Sequence, residues 1–298
     1  MLVASGLHWV YVRKLLLVVI SMIKFLSGLA ITAFIFMQPA FAIDLRFGVA
    51  DDGALESGFE TFVGAPSLKG AELSARMVSL KSESEVLRAV LKGDAHVGAI
   101  TIETLIQGKY EAQPKFAAVF TIPFQFEGAE QVFSFQDSVS GEVVLDDINR
   151  TGLIPLGYWN KGVSTLLTNS PVAGISGFKG LKVVGWSSGP SHQVLQGFGA
   201  TMTDSGHMGI REAFAENRVN AYEIVSSKQL DWNMAAPTKG SVIAGFRSGV
   251  GIFVANQSFW ESLSRPQKTA LVAAVKEADL VSRKSALNVE ETIRKFAA

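Results

Sequence analysis

A chain of 298 residues, 48% hydrophobic and 18% charged, is long enough for one large or two medium domains with a substantial core. Lysine plus arginine equal aspartate plus glutamate at 27 each, which removes any global pull toward nucleic acid or an anionic membrane. The absence of cysteine excludes disulfides, thiolate zinc sites and cysteine nucleophiles.

The N-terminus reads as an address. Lys24, the apolar run FLSGLAITAFIFM and Pro39-Ala40-Phe41-Ala42 have the form of a secretory signal with a small-x-small site. Cleavage is expected after Ala42, leaving 1–42 outside the fold and Ile43 as the first mature residue. A second basic-apolar unit lies upstream, Arg13-Lys14 followed by LLLVVI, so translation is expected to start at Met22. The competing reading is a membrane anchor over Leu15–Met37, which Lys24 and Gly28 interrupt.

Leu45–Ala50 reads as a short strand stopped by the turn signal Asp51-Asp52-Gly53. Ala54–Val63 reads as a short helix and Leu73–Leu80 as a strand. Ser82-Glu83-Ser84-Glu85 caps a helix through Lys92, with Val86, Leu87, Val90 and Leu91 as its apolar stripe. Gly93-Asp94 ends it, and His96–Ile102 returns as a buried strand. After the apolar run Phe116–Phe126, helices are expected over Gly128–Phe135 and Ser140–Thr151. Ile154–Trp159 is a strand followed by a polar turn, Asn160-Lys161-Gly162. Leu181–Val184, a helix, a second extended segment and a helix ending at Arg218 follow. Phe246–Ala255 is another apolar strand, and a long amphipathic helical region runs from Ser258, with Pro266 suited to a first turn capped by Ser264. Two βα halves without a flexible linker predict two lobes that exchange segments, with a ligand cleft between them.

Five collinear fragments resemble one family. They are SESEVLRAVLKGDAHVGAIT, FTIPFQFEGAEQVF, LGYWNKGVSTLLTNS with FKGLKVV, the run from Gly197 to Ile224, and FWESL with the helix after it. Their order is similar to that of the solute-binding subunits of TRAP (tripartite ATP-independent periplasmic) transporters. The resemblance implies an α/β, two-lobe periplasmic-binding-protein-like fold. Lobe 1 is expected over 43–158 plus about 242–280, and lobe 2 over 159–241 plus about 281–298. It also implies a periplasmic protein that hands a small molecule to TRAP-type membrane permease subunits driven by an ion gradient. No nucleic acid partner and no cofactor are expected. The alternatives from the same fold are a ligand-binding partner of a membrane sensor, or a degenerate member acting as an interaction protein.

The departures from the family pattern concern the ligand. The arginine that the resemblance implies for clamping a carboxylate is Val184 here, the second arginine of the "NG-[FT]-R" element is Ser164, and the asparagine of "DGQENP" is Ile224. The chain also stops before the family's usual final strand and helix. A carboxylate buried beside Val184 needs another cation, and valine supplies neither charge nor a bidentate fork. Lys161 and Arg247 are the candidates, each with a solvated surface charge as its other reading. Trp159, Asn160, Trp186, Tyr222 and Glu223 are the expected aromatic and polar wall, suited to a neutral polar or a cationic ligand. For both tryptophans, core packing is the alternative. Asp51, with Asp52, follows the first strand and serves either the ligand or the turn.

Catalysis is not expected. Four histidines show no metal spacing, His96 reads as structural, and His192 opens a helix at a cleft position. No nucleophile elbow, phosphate loop or dinucleotide fingerprint occurs.

Overall fold

The computed structural model describes residues 42–51, 58–110, 112–184, 190–203, 210–224 and 241–297. The residues before Ala42, and with them the expected signal and start, lie outside that set, as do Asp52 and Trp186.

Strand β1 (Ile43–Ala50) buries Leu45, Phe47 and Val49 on alternate positions, the period-2 pattern of a sheet face against a core. It pairs in parallel with β2 (Leu73–Leu80) along its whole length, the connection being two short helices, α1 (Phe59–Gly64) and α2 (Pro66–Gly70). Helix α3 (Glu83–Lys92) begins where the sequence places it. Ser82 Oγ accepts the Glu85 N–H, and Gly93, in the left-handed region, ends the helix. The chain then crosses over β1, so that β3 (Val97–Thr101) pairs with β1 and not with β2. Helix α4 (Ile102–Gln107) follows with no loop, Thr101 Oγ1 accepting the Thr104 N–H at its start. The apolar run after it forms a 3-10 turn over Phe116–Thr121, and helices α5 (Ala129–Gln136) and α6 (Val139–Asn149) lead back to the sheet.

The polar turn expected after Trp159 is a continuing strand. β4 runs over Leu153–Thr168 and pairs with β8 (Ser241–Asn256), both of 16 residues. Asn160-Lys161-Gly162 is absorbed as a register shift in this antiparallel pair, with Gly162 at φ 107° in the region only glycine enters cheaply. Strand–helix–strand connections complete the second half of the sheet. It holds β5 (Lys182–Val184), β6 (Thr201–Thr203) and β7 (Ala221–Ile224), and helices α7 (Pro190–Gly197) and α8 (Ile210–Ala215) lie between these strands in sequence. The sheet order is β2-β1-β3-β8-β4-β7-β5-β6, so β4 and β8 are shared by both halves. The lobe boundary expected at 158/159 falls inside β4.

Each half carries apolar side chains on both faces. Phe253 and Ala255 of β8 point into one cluster with Phe47, Phe62 and Trp159, while Ile252 and Val254 point into another with Ile100, Leu153 and Tyr158. In the second half Leu166, Val183 and Ala221 line one small core, and their neighbours Leu167, Val184 and Tyr222 line the other. Two separately cored halves on one sheet make the two-lobe fold.

Helix α9 (Gln257–Ser262) is capped by Asn256, whose Oδ1 accepts the Phe259 N–H at 2.9 Å. At Ser264 a new helix begins, α10 (Arg265–Ala297), 33 residues long. Gln267 Oε1 accepts the Ser264 N–H at 3.0 Å, the reciprocal half of a capping box. Leu271, Ala274, Val275 and Ala278 bury against the first-half core, and Glu290 Oε2 accepts the Ala129 N–H at the start of α5. Among the described residues no helix is long and apolar enough to cross a membrane.

Candidate functional site

The middle of β8 holds Arg247, one of the few buried cations, at 7% exposure. Neighbouring Phe246 fixes the strand's facing by filling the small core with Leu166 and Val183. The Arg247 N–H donates to Ser164 Oγ at 3.1 Å on β4. Its guanidinium is shared between two carboxylates from different halves. Nε donates to Glu223 Oε1 on β7, and Nη1 donates to Glu103 Oε2 at 3.1 Å in the first turn of α4. Glu223 is fully buried and its second oxygen lies 3.0 Å from His192 Nε2 on α7. The chain of contacts is Glu103, Arg247, Glu223, His192.

Burial by itself would raise the Glu223 carboxyl, but Arg247 and the His192 bond outweigh it and bring the pKa down to about 2. For Arg247 burial works against the charge, while Glu103, Glu223 and, further out, Glu83 raise its pKa. The guanidinium and the Glu223 carboxylate therefore stay ionised in a place that water scarcely reaches.

A second charged pair lies one step along the crossing strands. Lys161 Nζ is 3.9 Å from Glu83 Oε1 and 5.2 Å from the centre of the Trp159 ring. Glu83 is held in turn by Thr101 and Thr104, whose hydroxyls and the Thr101 N–H all donate to its other oxygen. Glu103, Thr101 and Thr104 lie at the carboxyl end of β3, the end at which open α/β sheets carry their ligands.

The sequence-predicted positions divide among these surroundings. Glu223 and Arg247 are brought together, and Lys161 sits over Trp159. Trp159 itself is 1% exposed, packs edge-on against Phe59, and faces Gly251 on β8, where any Cβ would collide with the indole. Its surroundings are those of a core residue. Asn160 is also buried but faces α10, bonded to Gln136, Asp279 and Ser282. Tyr222 lies in the small core with Val184 and Ile224. Asp51 is exposed at the end of β1, its N–H donating to Leu80 O. Trp186 lies outside the described residues.

Thr101, Glu103 and Thr104 went unread in the sequence, Glu83 was read only as part of a helix cap, and His192 was noted only for its place. Acidic and hydroxyl residues in first turns are ordinary capping chemistry, so they carry no signal alone. The available clue was positional: Glu103 follows by two residues a strand that is apolar from Val97 to Ile100. The positions where the family resemblance implies other residues are explained as well. Val184 and Ile224 are apolar core, and Ser164 is a hydrogen-bond acceptor for Arg247, so the cation enters from β8 beside the position it leaves on β4.

A two-lobed α/β fold whose shared strands gather charged groups from both halves defines a binding protein of the two-lobe class. The model of the family described as bacterial extracellular solute-binding protein, family 7, matches residues 76–298, and the chain belongs to that family. Over 104 residues it is 32% identical to the C4-dicarboxylate-binding periplasmic protein DctP of Vibrio cholerae, a match covering 35% of this chain and 30% of that protein. The match thus spans about a third of that curated relative's length. Among solved structures, a TRAP periplasmic solute-binding protein of Shewanella oneidensis with bound succinate superposes with a TM-score of 0.67 at 18% identity, over 86% of this chain and 84% of that one. Another, from Ochrobactrum anthropi, has its C-terminus bound in the ligand-binding pocket; it gives 0.70 at 19% identity, over 85% and 81%. At these identities the likeness is one of fold.

Proposed function

We propose that the protein is an exported, periplasmic solute-binding subunit that captures a small molecule between its two lobes and delivers it to a TRAP-type permease. The observation that carries this reading is Arg247, buried on a shared strand and bonded to Glu103 of one half and Glu223 of the other. Groups so placed change their surroundings when the lobes open and close, and a ligand that bridges both lobes stabilises the closed form. Membership of the family supports the capture role, and the permease partner follows from it. The lobes are 43–158 with about 242–280, and 159–241 with about 281–298, joined through β4 and β8. Export uses the segment before Ile43, cleaved after Ala42. The protein performs no chemistry on its ligand.

The test is thermal stabilisation of mature protein, beginning at Ile43, across a broad metabolite library. A solute at one hundred times its Kd should stabilise the fold by about 2.7 kcal/mol. If no compound raises the melting temperature, the capture reading fails. The degenerate-member reading, in which the protein only docks to a partner, has one observation in its favour: Val184 and Ile224 are filled-in core. Stabilisation by any solute removes it.

A further inference from the structure

The anion seat on Arg247 is already taken from within the chain. A guanidinium offers a carboxylate a planar fork of donors, and in a buried place that pairing is strong because little water competes. Here two edges of the fork are used, one by Glu223 and one by Glu103. The two carboxylates have different standing. Glu223 belongs to β7, in the same sheet half as the Arg247 end of β8, and is also bound to His192. Glu103 reaches Arg247 from the other half, across 144 positions of sequence.

Glu103 is also prepared for the task. Its neighbours Ile102 and Leu105 are buried at 1% and 0%, which fixes the first turn of α4. Thr101 caps that turn, and the same threonine is tied to Glu83. The carboxylate therefore arrives without ordering a flexible segment, a preorganised contact and not a chance one.

We propose that Glu103 is a specificity-determining residue: it occupies the carboxylate seat on Arg247 and so excludes simple carboxylates from this site. The proposal rests on the solute-capture reading and says which solutes the site refuses. A third carboxylate beside one guanidinium brings three negative charges to one positive charge in a poorly hydrated place. An incoming carboxylate must then either displace Glu103 or take a leftover donor on a guanidinium whose charge two carboxylates already offset, and both are unfavourable. The solute that fits such a site is uncharged and polar, or cationic, and leaves the Glu103–Arg247 bond in place.

The test compares succinate and acetate binding to mature wild-type protein and to Glu103→Gln, by titration calorimetry and thermal shift. The amide is nearly the same size but removes the competing charge. Wild type is expected to show no stabilisation by either anion, and Glu103→Gln to bind succinate at least about tenfold more tightly, roughly 1.4 kcal/mol. The double variant Glu103→Gln with Arg247→Gln should lose that gain. Glu103→Asp, which withdraws the carboxylate by one methylene, serves if the glutamine variant does not fold; an intermediate gain is expected.

Wild type binding succinate as tightly as a folded Glu103 variant overturns the proposal, and so does a folded variant that gains nothing. The capture reading is judged separately on the metabolite library. A gain of succinate binding in Glu103→Gln, with no solute stabilising wild type, would sink capture and leave the seat assignment standing.

Discussion

Two buried polar networks flank the shared strands, and they are built on opposite plans. The first links Glu103, Arg247, Glu223 and His192 from both halves of the sheet, around a buried guanidinium. The second surrounds Asn160, whose amide exchanges two hydrogen bonds with Gln136 and donates to Asp279, while its N–H donates to Ser282. Beside it Arg283 forks onto Asp137 through Nη1 at 2.6 Å and Nη2 at 2.8 Å, near the surface. Paired amides need no ionisation and hold α10 against β4 and α5 as a fastening. Paired charges from two halves depend on those halves being together, which suits them to a place that opens. The lesson is that burial and polarity do not by themselves mark a site; the origin of the partners does.

Substitution at the centre of each network separates the plans. Arg247→Met leaves Glu103 and Glu223 buried without their cation and should destabilise the fold by about 3–5 kcal/mol in urea unfolding. A loss under about 1 kcal/mol would mean that the two carboxylates find water or another cation. Trp159→Ala, between the two networks, should cost a similar amount, about 3–5 kcal/mol, through a cavity beside Phe59 and Gly251. If that variant unfolds with the wild-type midpoint but loses a ligand, Trp159 belongs to the binding wall and not to the core. Asn160→Ala strands Gln136 and Asp279 and should cost less, about 1–3 kcal/mol.

The pH response distinguishes the networks by sign. The Glu223 pKa is depressed from an ordinary 4.5 to about 2, so its contribution is complete above pH 4.5 and is lost as pH falls toward 2. Asp279 goes the other way. Burial raises its carboxyl above the ordinary 3.8, only partly offset by Arg283 and the Asn160 bond. Its contribution is complete below 3.8 and is lost as pH rises through the folded value. Urea midpoints measured across this range should therefore lose their acid-side fall in Glu223→Gln and their opposite trend in Asp279→Asn. Identical slopes in the two variants would show that these carboxyls do not set the pH dependence. The smallest effect is expected at Arg76→Ala, which removes an exposed pair with Asp44 and should cost about 0–1 kcal/mol.

Much of the frame was legible because it rests on local rules. Ser82 and Gly93 bound their helix by capping and by a left-handed backbone, and Ser264 begins the last helix where a polar residue meets proline. β1, β2 and β3 carry ordinary strand signals. The continuation of β4 was hidden because Asn160-Lys161-Gly162 has turn composition, and only the partner strand 90 residues later turns it into a bulge. Of the site, Glu223 and Arg247 were legible through the family resemblance, which places their segments at the ligand cleft. Glu103 and Glu83 were not, since an acid in a first helical turn is ordinary until the shared strands β8 and β4 supply its cation. Asn160 was read as a cleft residue, and its neighbours on α10 are too distant in sequence for any periodicity to reveal.

The sharing of β4 and β8 has a consequence for how this chain can be divided. Residues 43–158 lack the strand that completes their own sheet, because β3 hydrogen-bonds to β8 between Val97 and Thr101. Residues 159–241 likewise end where β8 begins, leaving Thr165–Thr168 without the partner that Ser241–Ala244 provides. Neither lobe is an autonomous length of polypeptide. The edge of β3 is paired only when Gly251–Ala255 are present, so the sheet closes in both halves through the same late strand.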